Sequence, residues 1–270
     1  MAKPVDTYTH GHQAPVVAMH ATRTAANSAA YLVPHLGPDQ RLLDVGCGPG
    51  TITTDLAALV APGAVHGLEI DDAICAQARA HAEQVGATNV EIVRGNVYAL
   101  DYEDGAFDVV HLHQVLQHLT DPVAALAECR RVTRPGGLVA ARDVDYATMC
   151  ASPKDARLDR WLELYHQVAY RNDAEPDAGR YLLSWARRAG FEAIEVSAST
   201  MTYHDEAGRH FWGEGWANRC TSSAFGQQAI AYGLADRDEL DEIATAWRDW
   251  ARHEEGFFLY TNVEILARRT

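Results

Sequence analysis

The chain has 270 residues, 47% of them hydrophobic and 22% charged, the profile of a globular protein large enough to bury a core without staples. Its formal net charge of −14 argues against a nucleic-acid partner or an anionic membrane surface, both of which select basic patches. Cys47, Cys75, Cys129, Cys150 and Cys220 are scattered without CxxC spacing, which predicts free thiols rather than a disulfide framework or a zinc site. No apolar run reaches the roughly 18 residues of a membrane span, and the polar first residues lack a signal-peptide core, so a cytoplasmic protein is expected.

Residues 1–20 read as irregular and carry Tyr8, His10, His12 and His20. Residues 22–35 read as a helix, with Ala25, Ala26, Ala29, Ala30 and Leu32 at helical spacing and Gly37-Pro38 as its stop. An alternation follows. It runs through a strand at 41–45, a helix at 51–60 capped by Thr51, a strand at 65–69 and a helix at 72–85 ended by Gly86. Strands at 90–93 and 107–112, a helix at 122–132, a turn at Pro135-Gly136-Gly137 and a strand at 138–143 continue it. Strands alternating with helices predict an α/β fold with a doubly wound, mostly parallel sheet.

The rhythm changes after Asp145. An amphipathic helix is expected over 154–171, carrying Leu158, Trp161, Leu162, Tyr165 and Val168, then a helix over 177–189 and a strand over 191–203. Residues 205–255 are helical in pattern and rich in Trp, Tyr and Phe, and 257–267 is strand-like. The expected organisation is a lid segment and helix at 1–35, a core at 36–203 with a helical insertion about 146–176, a helical cover at 204–256, and a last core strand at 257–270.

The chemistry concentrates at Leu42-Leu43-Asp44-Val45-Gly46-Cys47-Gly48-Pro49-Gly50. An apolar run ends in an acid and breaks into alternating glycines, which suits a buried strand entering a loop where backbone passes close to a ligand. A dinucleotide fingerprint reads GxGxxG and cradles a pyrophosphate. Here the spacing is GxGxG, and Asp44 before it would repel phosphate and suit an amine-bearing ligand. A second apolar run, Val65-His66-Gly67-Leu68, also ends in an acid, Glu69. Two such strand ends with a helix between them make one βαβ unit.

Together with Gly95-Asn96-Val97 and Phe107 to Leu116, this pattern resembles the class I S-adenosylmethionine-dependent methyltransferases. It is most similar to the small-molecule branch that includes the ubiquinone/menaquinone type, well over roughly residues 22–145 and loosely beyond. The resemblance implies a seven-stranded Rossmann-like sheet with an antiparallel last strand, an N-terminal helical lid and a helical insertion before that strand. It implies S-adenosyl-L-methionine as cofactor. Asp44, Gly46, Cys47 and Gly48 would surround its methionine amine and ribose, Glu69 would accept hydrogen bonds from both ribose hydroxyls, and Ile70 would pack on the adenine. Asn96 replaces a commoner acid at the adenine amine, where its side-chain oxygen can accept the same N–H, although Gly95-Asn96 also reads as a plain turn. Val97 would offer its backbone N–H to a ring nitrogen. His113 and Gln114 would face the methionine half, His118 reads as structural, and Arg23 either pairs with the methionine carboxylate or is solvated.

Such a cofactor carries its own electrophile, so the reaction is an in-line displacement that needs alignment and water exclusion, with no metal and no covalent nucleophile. A general base helps only where the acceptor is protonated, and His113 and His10 are the candidates. Tyr8, Tyr146, Tyr203, Trp212, Trp216 and Arg219 are the candidate substrate-lining residues. The expected partner is a small-molecule acceptor of O, N or C type; no nucleic acid or membrane is expected, and a homodimer is compatible. Two other readings stand beside this one: a nicotinamide-dependent oxidoreductase, and a non-catalytic cofactor-binding protein whose aromatic insertion is an oligomer interface.

Overall fold

The computed structural model describes residues 6–11 and 13–270; His12 and the first part of the expected lid lie outside the described residues. Seven strands form one sheet: β1 (Leu42–Val45), β2 (Val65–Glu69), β3 (Val90–Arg94), β4 (Phe107–His113), β5 (Thr133–Ser152), β6 (Ala193–Tyr203) and β7 (Phe257–Arg268), in the order β3-β2-β1-β4-β5-β7-β6. β1 to β5 pair in parallel, whereas β7 runs antiparallel to both β5 and β6. The chain winds outward from β1 to β3, then returns to place β4 on the other side of β1. That reversal opens a crevice beyond the carboxyl ends of β1 and β4, the place where such sheets receive ligands. β1 is buried along its whole length, as a central strand covered on both faces must be.

Helices α1 (Ala14–His20) and α2 (Ala25–Ser28) precede the sheet, and α3 (Thr51–Val60), α4 (Asp72–Val85) and α5 (Pro122–Val132) link its parallel strands. Local chemistry sets their ends: Asp71 accepts from the backbone N–H groups of Ala73 and Ile74, Asp121 accepts from that of Ala124, and Gly86 closes α4 in the left-handed conformation. α6 (Ala156–Arg171), α7 (Leu182–Arg188), α8 (Glu206–Ser222), α9 (Ala224–Ala231) and α10 (Arg237–Arg252) follow.

Four expectations about the elements need correction. The helix expected over 22–35 is only α2 plus a 3₁₀ turn at Val33–His35, because Ala29 leaves helical geometry and Pro34 disfavours helix before it. A helix, α1, lies inside the stretch read as irregular. The helix over 177–189 splits into a 3₁₀ turn at Ala178–Tyr181 and α7. The strand expected over 138–143 is twenty residues long; it absorbs Pro135-Gly136-Gly137 at one end and reaches Ser152 at the other, so only α6 remains of the helical insertion at 146–176. The extension is possible because β7 pairs with it from Leu138 to Ser152, with one irregularity between Asp145 and Cys150, while Thr133 pairs with Phe107 of β4.

Two cores result. One lies between the sheet, α5 and α7, around Phe107, Leu112, Leu126 and Leu182. The other joins α6, α8 and α10 to the far ends of β5 and β7, around Trp161, Trp216, Trp247 and Phe258. Most of the late aromatics therefore hold the insertion together and onto the sheet. α8 and α10 approach closely where Gly213 lies: a Cβ there would stand 2.7 Å from the Trp247 carbonyl oxygen. Among the described residues no helix is long and apolar enough to cross a membrane.

Trp247 is fully buried at the centre of the second core. Trp247→Ala should lower the unfolding free energy by about 3–5 kcal/mol, read as a lower guanidinium midpoint with the slope unchanged. A loss below about 1 kcal/mol would mean that the second core does not unfold with the sheet.

Candidate active site

Gly46, Gly48 and Gly50 follow β1 with φ of 66°, 54° and 85°. At Gly46 glycine is required twice over, since a Cβ would also stand 2.5 Å from Val115 Cγ2. Gly50, not Thr51, is the residue before α3, and it supplies no side-chain cap. Above this loop lies a cavity of about 210 Å³ at the carboxyl ends of the parallel strands. Asp44, Gly46, Cys47, Gly48, Glu69, Ile70, Asn96, Val97, His113, Gln114 and Arg23 all line it. The structure thus gathers into one wall every residue that the sequence assigns to the cofactor.

Their polar groups are not all free. Asp44 is committed inward: Oδ2 accepts from the Thr53 hydroxyl at 2.6 Å and Oδ1 from His111 Nδ1 at 2.7 Å. Asp44 thus anchors the loop from below, and it also lines the cavity with a lone-pair site left on each oxygen. Glu69 receives the loop from the other side, accepting from Gly48 N at 3.2 Å and from Ile70 N at 2.7 Å. A third bond, from Asp71 N at 3.3 Å, leaves one of its four lone-pair sites for a ligand hydroxyl. Asn96 Oδ1 accepts from Tyr98 N at 2.9 Å, the turn that the bare sequence also allowed. Burial and the nearby Asp44 and Glu69 carboxylates push the Cys47 thiol up, so it is inert as a nucleophile.

The N-terminal segment closes over this cavity. Asp6 accepts from Thr120 N at 2.8 Å and from the Tyr98 hydroxyl at 3.1 Å, and Thr9 Oγ1 accepts from Asn172 Nδ2 at 3.0 Å. Tyr8 and His118 meet edge to face with ring centroids 4.7 Å apart, and both line the cavity. His118 is therefore a site residue where the sequence suggested a structural one. Tyr8 belongs to this cavity and not to the second one described next.

A second chamber of about 70 Å³ adjoins the first, and His20, Arg23, His113 and Gln114 line both. Tyr146, Tyr203, Trp212 and Arg219 line it as expected of substrate-side residues, and His10 does too. Trp216 does not: it is fully buried behind the chamber, against Trp161 and under the Arg219 guanidinium. Arg142, Met149, Met201 and Tyr260 also line it, and nothing in the sequence assigned Arg142, Met201 or Tyr260 there. All three fall inside segments read as core strands, at 138–143, 191–203 and 257–267, and periodicity alone does not tell which strand positions border a chamber. The irregularity in β5 lies between Asp145 and Cys150, the stretch that carries Tyr146 and Met149.

His113 is buried, its Nδ1 has no hydrogen-bond partner, and it is held well below the usual histidine range by burial and then by Arg23 and Arg142, with His111 and His20 adding to the effect. It is a neutral imidazole between two chambers. Arg23 donates to Gln114 Oε1, which fixes the shared wall. His10 is likewise held low by burial, but its Nε2 is engaged by the hydroxyls of Tyr165 at 3.0 Å and Tyr146 at 3.3 Å, and it reaches only the second chamber. Of the two candidate bases, His113 alone touches both.

Residues 43–141 match the model of the methyltransferase domain. An uncharacterized methyltransferase of Schizosaccharomyces pombe is 34% identical over 100% of this chain and 99% of its own length. The demethylmenaquinone methyltransferase of Lactococcus lactis is 31% identical over 57% of this chain and 66% of its own. Among solved structures, a phosphoethanolamine N-methyltransferase of Haemonchus contortus, in complex with S-adenosylhomocysteine, has the same fold with a TM-score of 0.55 and 16% identity, covering 87% of this chain and 50% of that one. Full-length likeness to a methyltransferase, a matching domain model and a shared sheet agree: this chain belongs to the methyltransferase family.

Proposed function

We propose that the chain transfers a methyl group from S-adenosylmethionine to a small acceptor, with the donor in the larger cavity and the acceptor in the smaller. The observation that carries this reading is the wall shared by the two chambers, where His113, Gln114 and Arg23 meet both. The larger cavity suits the donor chemically. The residues around the glycine loop are acids, Asp44 and Glu69, which repel a pyrophosphate and so disfavour a nicotinamide dinucleotide. Glu69 has acceptor capacity for a ribose, and Arg23, at the chamber junction, is placed for a carboxylate at the methionine end.

When bound, the donor supplies an electrophilic methyl group on a positively charged sulfur. The chain's residues do the rest. Glu69 and Arg23 hold the two ends, the N-terminal segment stitched down by Asp6 and Thr9 excludes water, and the second chamber orients the nucleophile. For a hydroxyl or ammonium acceptor, the neutral His113 takes the proton. The absence of an apolar membrane-crossing helix among the described residues and the free thiols support a cytoplasmic location.

S-adenosylhomocysteine should bind the purified protein in the micromolar range by calorimetry, and Glu69→Ala should weaken it by about 1–3 kcal/mol. No binding by the native chain would refute the donor; an unchanged affinity in the variant would refute the ribose contact. His113→Ala should lower kcat by about 10²–10⁴-fold with little change in S-adenosylhomocysteine affinity. The base must be unprotonated, and Arg23, Arg142, His111 and His20 surround it with positive charge that adds to burial in lowering its pKa. The rate should therefore stay flat from about pH 8 down to 6.5 and fall only as the pH drops further. A limb centred above pH 6.5 that disappears in the variant would contradict a depressed imidazole.

A further inference from the structure

The second chamber carries a surplus of positive charge that the described residues of its wall do not balance. In a chain with a net charge of −14, Arg23, Arg142 and Arg219 all line this one small space, together with three histidines and, among the described residues, no Asp or Glu. Arg142 is paired, through Nε to Glu264 at 3.2 Å and Nη2 to Ser199 at 3.1 Å. Arg23 donates to the neutral Gln114. Arg219 is only 5% exposed, its Nε has no hydrogen-bond partner, and its guanidinium lies 4.7 Å from the Trp216 ring centroid.

The groups nearest Arg219 do not offset it. They are phenols and an imidazole: Tyr8, Tyr146, Tyr165, Tyr203 and His10 all feel its charge. Burial pushes the Tyr8 hydroxyl up to about 12 and the other three phenols up as well, so all stay neutral. A guanidinium taken out of water without an anionic partner is costly, and folding alone gives no return for it. Cation–π contact with Trp216 fixes the plane of the fork and leaves its donors unspent.

From this juxtaposition we infer that the methyl acceptor is a small organic carboxylate, whose anionic group is received by Arg219 while its nucleophilic atom faces His113. The inference rests on the methyltransferase reading of the same site and adds the charge and class of the substrate. Arg23 stays with the donor, since it lines both chambers, whereas Arg219 lines the acceptor chamber alone. A carboxylate matches the planar fork and adds the negative charge that the wall lacks. Most of the remaining lining, including Met149, Met201, Tyr203, Trp212 and Tyr260, is apolar or aromatic and suits the body of an acid; Thr22, Asn27 and Ser28 are polar but uncharged.

The test is a methyl-transfer screen on the full chain with labelled donor. It compares hydroxybenzoates and short hydroxy and amino acids with the corresponding primary amides, which keep the shape and lose the charge. Acids should be accepted and their amides turned over at least tenfold less well. Arg219→Gln should lower kcat/KM for the acid by about 100-fold, mostly through KM, and leave S-adenosylhomocysteine affinity unchanged. Arg219→Lys should recover part of the loss, which a merely structural defect would not show. Neutral or cationic acceptors outperforming acids, no accepted acid, or equal losses on acid and amide in Arg219→Gln would overturn the inference. Failure of the native chain to bind S-adenosylhomocysteine would instead overturn the reading beneath it, so the two failures are told apart.

Discussion

The site hangs on one buried carboxylate. Asp44 ends β1 and is almost fully enclosed, with one oxygen on the Thr53 hydroxyl of α3 and the other on His111 of β4. These two bonds tie together the three elements that diverge at the crevice: the strand that leads into the glycine loop, the helix that leaves it, and the neighbouring strand across the switch point. His111 and His113 are two residues apart and so share a face of β4. Fixing the first therefore aims the second, which emerges one pleat further along, between the two chambers. An unpaired acid at this depth would be costly, and so would an unpaired imidazole. Each makes the other tolerable, and the pair holds the loop where glycine alone can follow the path.

The two chambers are built in different ways. The larger comes from successive strand ends of one parallel sheet, Val45, Glu69, Arg94 and His113, and from the short loops after them. Its positions recur every βα unit. The smaller comes from segments far apart in the chain: the N-terminal segment, the irregular middle of β5, the ends of β6 and β7, and α8. Tryptophans 161, 216 and 247, stacked edge to face in the second core, fix α8 against β7 and so hold Arg219 and Trp212 over the acceptor space. A donor that many enzymes share is held by the repeating part, and an acceptor particular to this chain by the added part.

This division explains what was legible. The sheet, its order of winding and the antiparallel β7 follow from alternating periodicity and from the family pattern, and the cofactor wall follows from residues within a few positions of a strand end. Misreadings arose where a partner distant in sequence decided the outcome. Asp44 reads as a ligand acid, but its anchoring by His111, 67 positions later, shows only in the fold. Pro135-Gly136-Gly137 punctuates the sequence as a turn, yet Thr133 before it pairs with β4 and Leu138 after it with both β4 and β7. Trp216 carries the same aromatic signal as Trp212, one turn earlier on the same face of α8, and only the packing of Trp161 and Arg219 against it reveals that it lies behind the chamber. Arg219 and Arg142 look alike as arginines in a sequence. Only the fold reveals that Glu264 neutralises one of them and that no acid in the chamber wall faces the other.

Among the described residues fourteen buried polar side-chain atoms lack a protein partner, and five of them lie on or next to the acceptor chamber. Nδ1 of His10, Nδ1 of His113, Nε of Arg219, Nδ2 of Asn262 and Nε1 of Trp212 are all buried and unpartnered, and all belong to residues on or next to the acceptor chamber. Native proteins keep such groups few, because each costs most of the desolvation free energy of a hydrogen bond. Unpartnered polar atoms gathered beside three arginines are a local departure from that rule. The cores around Phe107 and Trp161 make it tolerable by fixing the surrounding backbone independently of the chamber's own bonds. Sites that break the folding rules in this directed way, all in one sign and toward one void, are shaped by what they bind rather than by what they stabilise.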